Sequence, residues 1–188
     1  MIILGIDPGY AIVGYGVVSY DNRNFTPLAY GAVTTQAGEP AELRLQKVFQ
    51  GVSMILEKYK PDAVAIEQLF FTTNQKTAIL VAEARGVILL AAQLKGVPIS
   101  EYTPLQVKQS VVGYGKAIKS QVMDMTRRML RLEQVPKPDD AADALAIAIC
   151  HGHAAGSYVG KSQLQLAIER SEQRDQRRRQ ELLRQRQR

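Results

Sequence analysis

The chain has 188 residues, 24 Lys and Arg against 18 Asp and Glu for a net charge of +6, and 46% hydrophobic residues. That length suits one domain with a tail, since ~150 residues already bury about two-thirds of the surface that their unfolded chain exposes. A single cysteine, Cys150, excludes an internal disulfide and a cysteine-built zinc site; with no uninterrupted apolar run near the ~20 residues of a membrane span and no basic segment ahead of the first one, a cytoplasmic protein without anchor or leader is expected.

Met1 to Ile6 is an apolar, β-branched run that reads as a buried strand ending in Asp7. Pro8 stops it and Gly9 permits a tight turn into a second strand, Ile12 to Tyr20. Asn22 to Asn24 turns the chain into a third, Phe25 to Thr35, so the first three strands are antiparallel neighbours. Leu43, Val48, Val52 and Ile55 recur at helical spacing within Ala41 to Tyr59. Ala63 to Glu67 is a short buried strand, and a strand–helix–strand crossover sets it parallel to the first. Asp7 and Glu67 therefore arrive at the same sheet edge, where open α/β sheets place their sites.

Phe70 and Phe71 follow in a polar loop, where a ring can wedge into distorted nucleic acid or fold back onto the core. Gln75 to Lys95 is a helix apolar around most of its circumference, which predicts burial on two sides, by other helices or by a second copy of the chain. Val97 to Tyr102 is a fifth strand, and Thr103 with Pro104 starts a short helix. In VKQSVVGYGKAIKSQV, Gly113 and Gly115 bracket Tyr114 among Lys108, Lys116 and Lys119, a composition suited to phosphate backbones. Ser120 to Leu132 is a further helix. In the last helix Asp139 reads as N-cap, Asp140 and Asp143 share one face, and His151 and His153 read as solvated residues of its final turn. Residues 1–157 form the expected domain and 158–188 a basic, Gln- and Arg-rich tail; from Lys161 onward, nine Lys and Arg against four Asp and Glu supply most of the net charge.

Four acids now stand out: Asp7, Glu67, Asp140 and Asp143. Two end adjacent strands and two open a helix, with no cysteine among them. An all-oxygen set suits Mg²⁺ or Mn²⁺ rather than Zn²⁺. Two such ions ~4 Å apart activate a water and stabilise the leaving oxygen of an in-line displacement, which fits phosphodiester hydrolysis.

The motifs IIxGIDPGxxxxGYGV, AIEQxFF, VKQxVVGxGxAxKxQV and DAADALAIAIxHxH occur in that order over about residues 1–155. Together they resemble the RuvC family of bacterial Holliday-junction resolvases. The resemblance implies an α/β, ribonuclease H-like fold with a five-stranded mixed sheet flanked by helices, and a homodimer. It implies Mg²⁺- or Mn²⁺-dependent, paired nicking of two strands of like polarity at a four-way junction, with two ions per site and ligatable products. The catalytic and metal-binding acids would be Asp7, Glu67, Asp140 and Asp143, the junction-distorting aromatic Phe70, and the lysines near the cut strand Lys108 and Lys119. RuvA and RuvB, the branch-migration proteins, are implied partners. Tyr10 is bulkier than the family pattern suggests for its turn and would bear on access to Asp7. A non-catalytic junction-binding protein and an actin- or sugar-kinase-like ATPase are the alternatives; the four acids argue against the first, and the lack of a second, similar domain against the second.

Overall fold

Ile2–Asp7 (β1), Ile12–Asp21 (β2) and Asn24–Thr34 (β3) form an antiparallel meander in the computed structural model, which describes residues 1–69 and 75–156. Asn22 and Arg23 close the second turn with positive φ of 47° and 68°, the left-handed pair that suits the twist of a two-residue hairpin. Ala41–Tyr59 (α1) crosses over to Ala63–Glu67 (β4), parallel to β1. Gln75–Leu94 (α2) crosses to Ile99–Tyr102 (β5), parallel to β4. The sheet order is β3-β2-β1-β4-β5, the expected mixed sheet of five strands.

Strand alternation divides the sheet into two faces. Leu4, Ile6, Val13, Val17, Val64 and Ile66 point to one face and pack on Val48, Val52 and Leu56 of α1 and Ile88, Ala91 and Ala92 of α2. The other face receives the last helix, Asp139–Gly156 (α5), after Pro104–Val112 (α3) and Lys119–Met129 (α4). Thr103 caps α3 reciprocally with Gln106: its hydroxyl accepts the Gln106 N–H at 3.1 Å, and the Gln106 side chain accepts the Thr103 N–H at 2.8 Å.

The helix α5 lies directly on β1 and β2 because the strand residues beneath it are glycine. A Cβ on Gly5 would stand 2.0 Å from the carbonyl oxygen of Ala144, and one on Gly14 2.0 Å from that of Asp140. Any other residue at either position would push the helix away.

Two sequence expectations are corrected. Asp139 is not the N-cap of α5 but its first helical residue, and its carboxylate pairs with Lys137 at 2.8 Å. His151 is buried, not solvated, its Nδ1 2.8 Å from the Tyr102 hydroxyl, and His153 Nδ1 lies 3.0 Å from Ser110 Oγ. Two residues apart, they point to different sides of α5, His151 toward Tyr102 of β5 and His153 toward Ser110 of α3 and Phe25 of β3, and burial drives both imidazoles below their ordinary pKa. The helix α2 buries one face against the core, with Ala84 and Ile88 covered, and leaves Ile79, Leu90 and Leu94 exposed, so no helix among the described residues covers its second side. By length and composition Thr77–Leu94 matches a membrane span. Glu83 and Arg85 interrupt that stretch, however, and Arg85 reaches Glu101 of β5 at 2.6 Å.

Residues Met1–His153 make one compact unit. The expected boundary after residue 157, the basic tail, and Phe70 and Phe71 lie outside the described residues.

Candidate metal centre and nucleic-acid interface

The site is assembled by register. Gly5 of β1 pairs with Ala65 of β4 in the parallel ladder. Two residues further along each strand stand Asp7 and Glu67, so both carboxylates emerge side by side, on the face that α5 covers. Asp7 also pairs with Gly14 across the β1–β2 hairpin, and Gly14 is where the backbone of Asp140 rests. The close seat on glycine therefore delivers the first turn of α5 to the strand end carrying Asp7.

A cleft of ≈ 250 Å³ opens there, lined by Asp7, Glu67 and Asp143 together with Lys108 of α3 and Lys119 of α4. Asp140 is not among its lining residues, yet its charge acts on Asp7. Burial pushes the Asp7 carboxyl up to about 7, and the charges of Glu67, Asp143 and Asp140 push in the same direction against a smaller pull from Lys119. Glu67 is raised too, first by burial and then by Asp143. Lys119 Nζ lies 2.7 Å from Asp143 Oδ2, and this bond holds the ammonium above its ordinary pKa.

Such a cup carries more negative charge than its lysines neutralise. Its donors are carboxylate oxygens, the set that hard divalent cations take. Among the described residues no three His, Cys, Asp or Glu already stand at metal-ligating separation. One of the four, Asp143, is engaged by Lys119. The residues present thus fit a Mg²⁺- or Mn²⁺-type ion in chemistry and in charge.

The remaining candidates divide. Lys108 and Lys119 line the cleft. Lys116 and Tyr114 are exposed but are not part of its lining. Tyr10 does not line it either: Arg44 of α1 stacks 3.8 Å from the centre of its ring, and the Tyr10 carbonyl accepts the Thr35 hydroxyl at 2.8 Å. Its bulk is turned to fastening the β1–β2 turn. The Lys119–Asp143 pair, which joins residues on two separate helices, was not legible in the sequence.

A family model described as crossover junction endodeoxyribonuclease RuvC matches residues 3–151. The chain is 55% identical over 153 residues to the crossover junction endodeoxyribonuclease RuvC of Caldanaerobacter subterraneus subsp. tengcongensis, covering 81% of this chain and 93% of that one. A structure of Thermus thermophilus RuvC superposes with a TM-score of 0.78 at 39% identity, covering 83% of this chain and 96% of that one. A structure of T. thermophilus RuvC in complex with Holliday junction substrate superposes with a TM-score of 0.78 at 36% identity, over 85% and 98%. The α/β architecture, a five-stranded mixed sheet between helices, is thus the ribonuclease H-like fold expected from the motifs.

Proposed function

This chain belongs to the RuvC family of crossover junction endodeoxyribonucleases, and we propose that it resolves four-way DNA junctions by metal-dependent nicking in the cleft between β1, β4 and α5. It is a structure-selective endonuclease of DNA recombination and repair. One observation carries the placement: carboxylates from two strands and a helix share a single cleft with two lysines.

Asp7, Glu67, Asp140 and Asp143 would hold the ions. The chemistry that one or two Mg²⁺ or Mn²⁺ held by these acids would supply is activation of a water for attack and stabilisation of the oxygen leaving phosphorus. The chain's own residues do the rest. Lys108 and Lys119 draw the phosphodiester toward the acids, which would otherwise repel it. Asp7, protonated up to about pH 7 in the free protein, gives up that proton before its carboxylate can ligate. Val107, Val122 and Ile147 form an apolar wall to the cleft, which limits competing water around the bound strand. Attack with loss of the 3′ oxygen leaves 5′-phosphate and 3′-hydroxyl ends that a ligase can seal.

Paired cuts need two sites. The exposed apolar stripe of α2, with Ile79 at 60%, Leu90 at 51% and Leu94 at 66% exposure, supports a homodimer through that helix. Phe70 is assigned to hold the junction open, and RuvA and RuvB to deliver it, on the strength of the family motifs; the work takes place in the cytoplasm with the chromosome. A four-way junction labelled on each strand in turn and incubated with Mg²⁺ tests the proposal. Symmetric nicks in two strands of like polarity, abolished by EDTA, are expected. Cleavage that persists in EDTA, or no cleavage, contradicts it.

A further inference from the structure

Lys119 occupies an unusual position. It is the first residue of α4, where the helix dipole opposes a positive charge, and Ile118 before it offers no charged cap. What offsets this is the acidic cup: its ammonium sits 2.7 Å from Asp143 Oδ2, and Asp139 and Asp7 lie near enough to act on it as well. The lysine side chain is 57% exposed and that of Asp143 28%, so the lysine has room to swing away while the acid stays. Lys108 lines the same cleft, and among the described residues no ion pair joins it to the four acids.

We propose that Lys119 is a resident counter-ion that competes with the divalent cation for Asp143 and is drawn off by the phosphodiester, so that metal loading and junction binding favour each other. This rests on the assignment of the cleft as the metal-dependent cutting site. The Lys119 ammonium on Asp143 Oδ2 repels a divalent cation approaching the same carboxylate and neutralises part of the charge that would attract it. In the free protein the cation must displace the ammonium or bind against it. A phosphate oxygen entering the cleft offers Lys119 a second partner and releases Asp143. By linkage, the cation then tightens junction binding by the same factor through the same side chain.

Titration calorimetry of Mn²⁺ into the full-length, DNA-free protein tests this with wild type, K119M, K119R and K108M. K119M should bind Mn²⁺ about two- to fivefold more tightly, the range expected for release of a partly exposed pair, with the gain shrinking at high salt. K119R should resemble wild type, and K108M should gain clearly less than K119M. Saturating the protein with a four-way junction carrying phosphorothioates around its centre should tighten Mn²⁺ binding to wild type by a clearly larger factor than to K119M, in which only direct contact of the ion with the phosphodiester remains; equal factors would overturn the proposal. Equal gains in K119M and K108M would reduce the effect to general field and overturn the proposal, as would no gain in K119M. If wild type, K119M and D143N all bind no Mn²⁺, the assignment of the cleft as a metal site falls first, and this inference with it.

Discussion

At the scale of single residues, Asp7 carries the largest consequence. Its folded pKa of about 7 stands above the ordinary 3.8, so the fold holds a proton there that the unfolded chain has released. For an acid shifted this way, the stabilisation is full below about pH 4 and is lost as pH rises toward 7. The stability of the metal-free protein relative to its Asp7→Asn variant should therefore fall from pH 5 to pH 8, a comparison in which the opposite contributions of His151 and His153 cancel. Mg²⁺ should recover most of the difference at pH 8; a thermal melt series of both proteins in EDTA and in Mg²⁺ checks both. The four acids were legible in the sequence because two end apolar runs and two lie three apart at a helix start. Asp139 and His151 were misread for a common reason. A carboxylate before a helix and an imidazole near its end look alike whether solvated or paired; the adjacent Lys137 side chain, which could as well have faced solvent, decides the first, and Tyr102, 49 residues away, the second.

Among the elements, α5 determines whether the acids meet. Its seat on Gly5 and Gly14 leaves no space for a β-carbon, so Gly14→Val should displace the helix start. A loss of about 1–3 kcal/mol is expected in urea unfolding, the usual cost of overpacking. Cleavage should fall further than the lost stability explains, because Asp140 and Asp143 shift away from Asp7. Cleavage at wild-type rate by a folded variant would contradict the role given to this contact. Tyr102→Phe, which leaves His151 without its 2.8 Å partner, should cost about 1–3 kcal/mol and leave junction binding unchanged by gel shift. The bounds of α1 and β4 could be read from periodicity and breakers to the residue. The glycines could be read as turn or strand residues but not as a helix seat, because that requires knowing which helix returns to which face. The helix α2 was legible as apolar all round, which left other helices or a second copy as its cover; composition does not record which residues stay exposed, and the structure puts Ile79, Leu90 and Leu94 there.

For the molecule as a whole, the proposed homodimer rests on the apolar stripe of α2, and the charge of the basic tail points to DNA. Leu90→Glu on the exposed face of α2 should yield a folded monomer by analytical ultracentrifugation. Its paired cuts should give way to single, unlinked nicks; a variant that remains dimeric would move the interface elsewhere. The tail's nine Lys and Arg predict that removing residues 161–188 flattens the salt dependence of junction binding. An unchanged slope would remove DNA contact from the tail's roles. All of this depends on four carboxylates, distant in sequence, acting as one cation cup, and the most direct measurement makes Asp7→Asn, Glu67→Gln, Asp140→Asn and Asp143→Asn one at a time, following junction cleavage and junction binding in parallel. Cleavage in Mg²⁺ should fall by ~10²-fold or more in every variant, as expected for loss of several kcal/mol of metal-ion stabilisation, while the junction dissociation constant stays within a few-fold of wild type; near-normal cleavage by any one of the four would contradict the shared site.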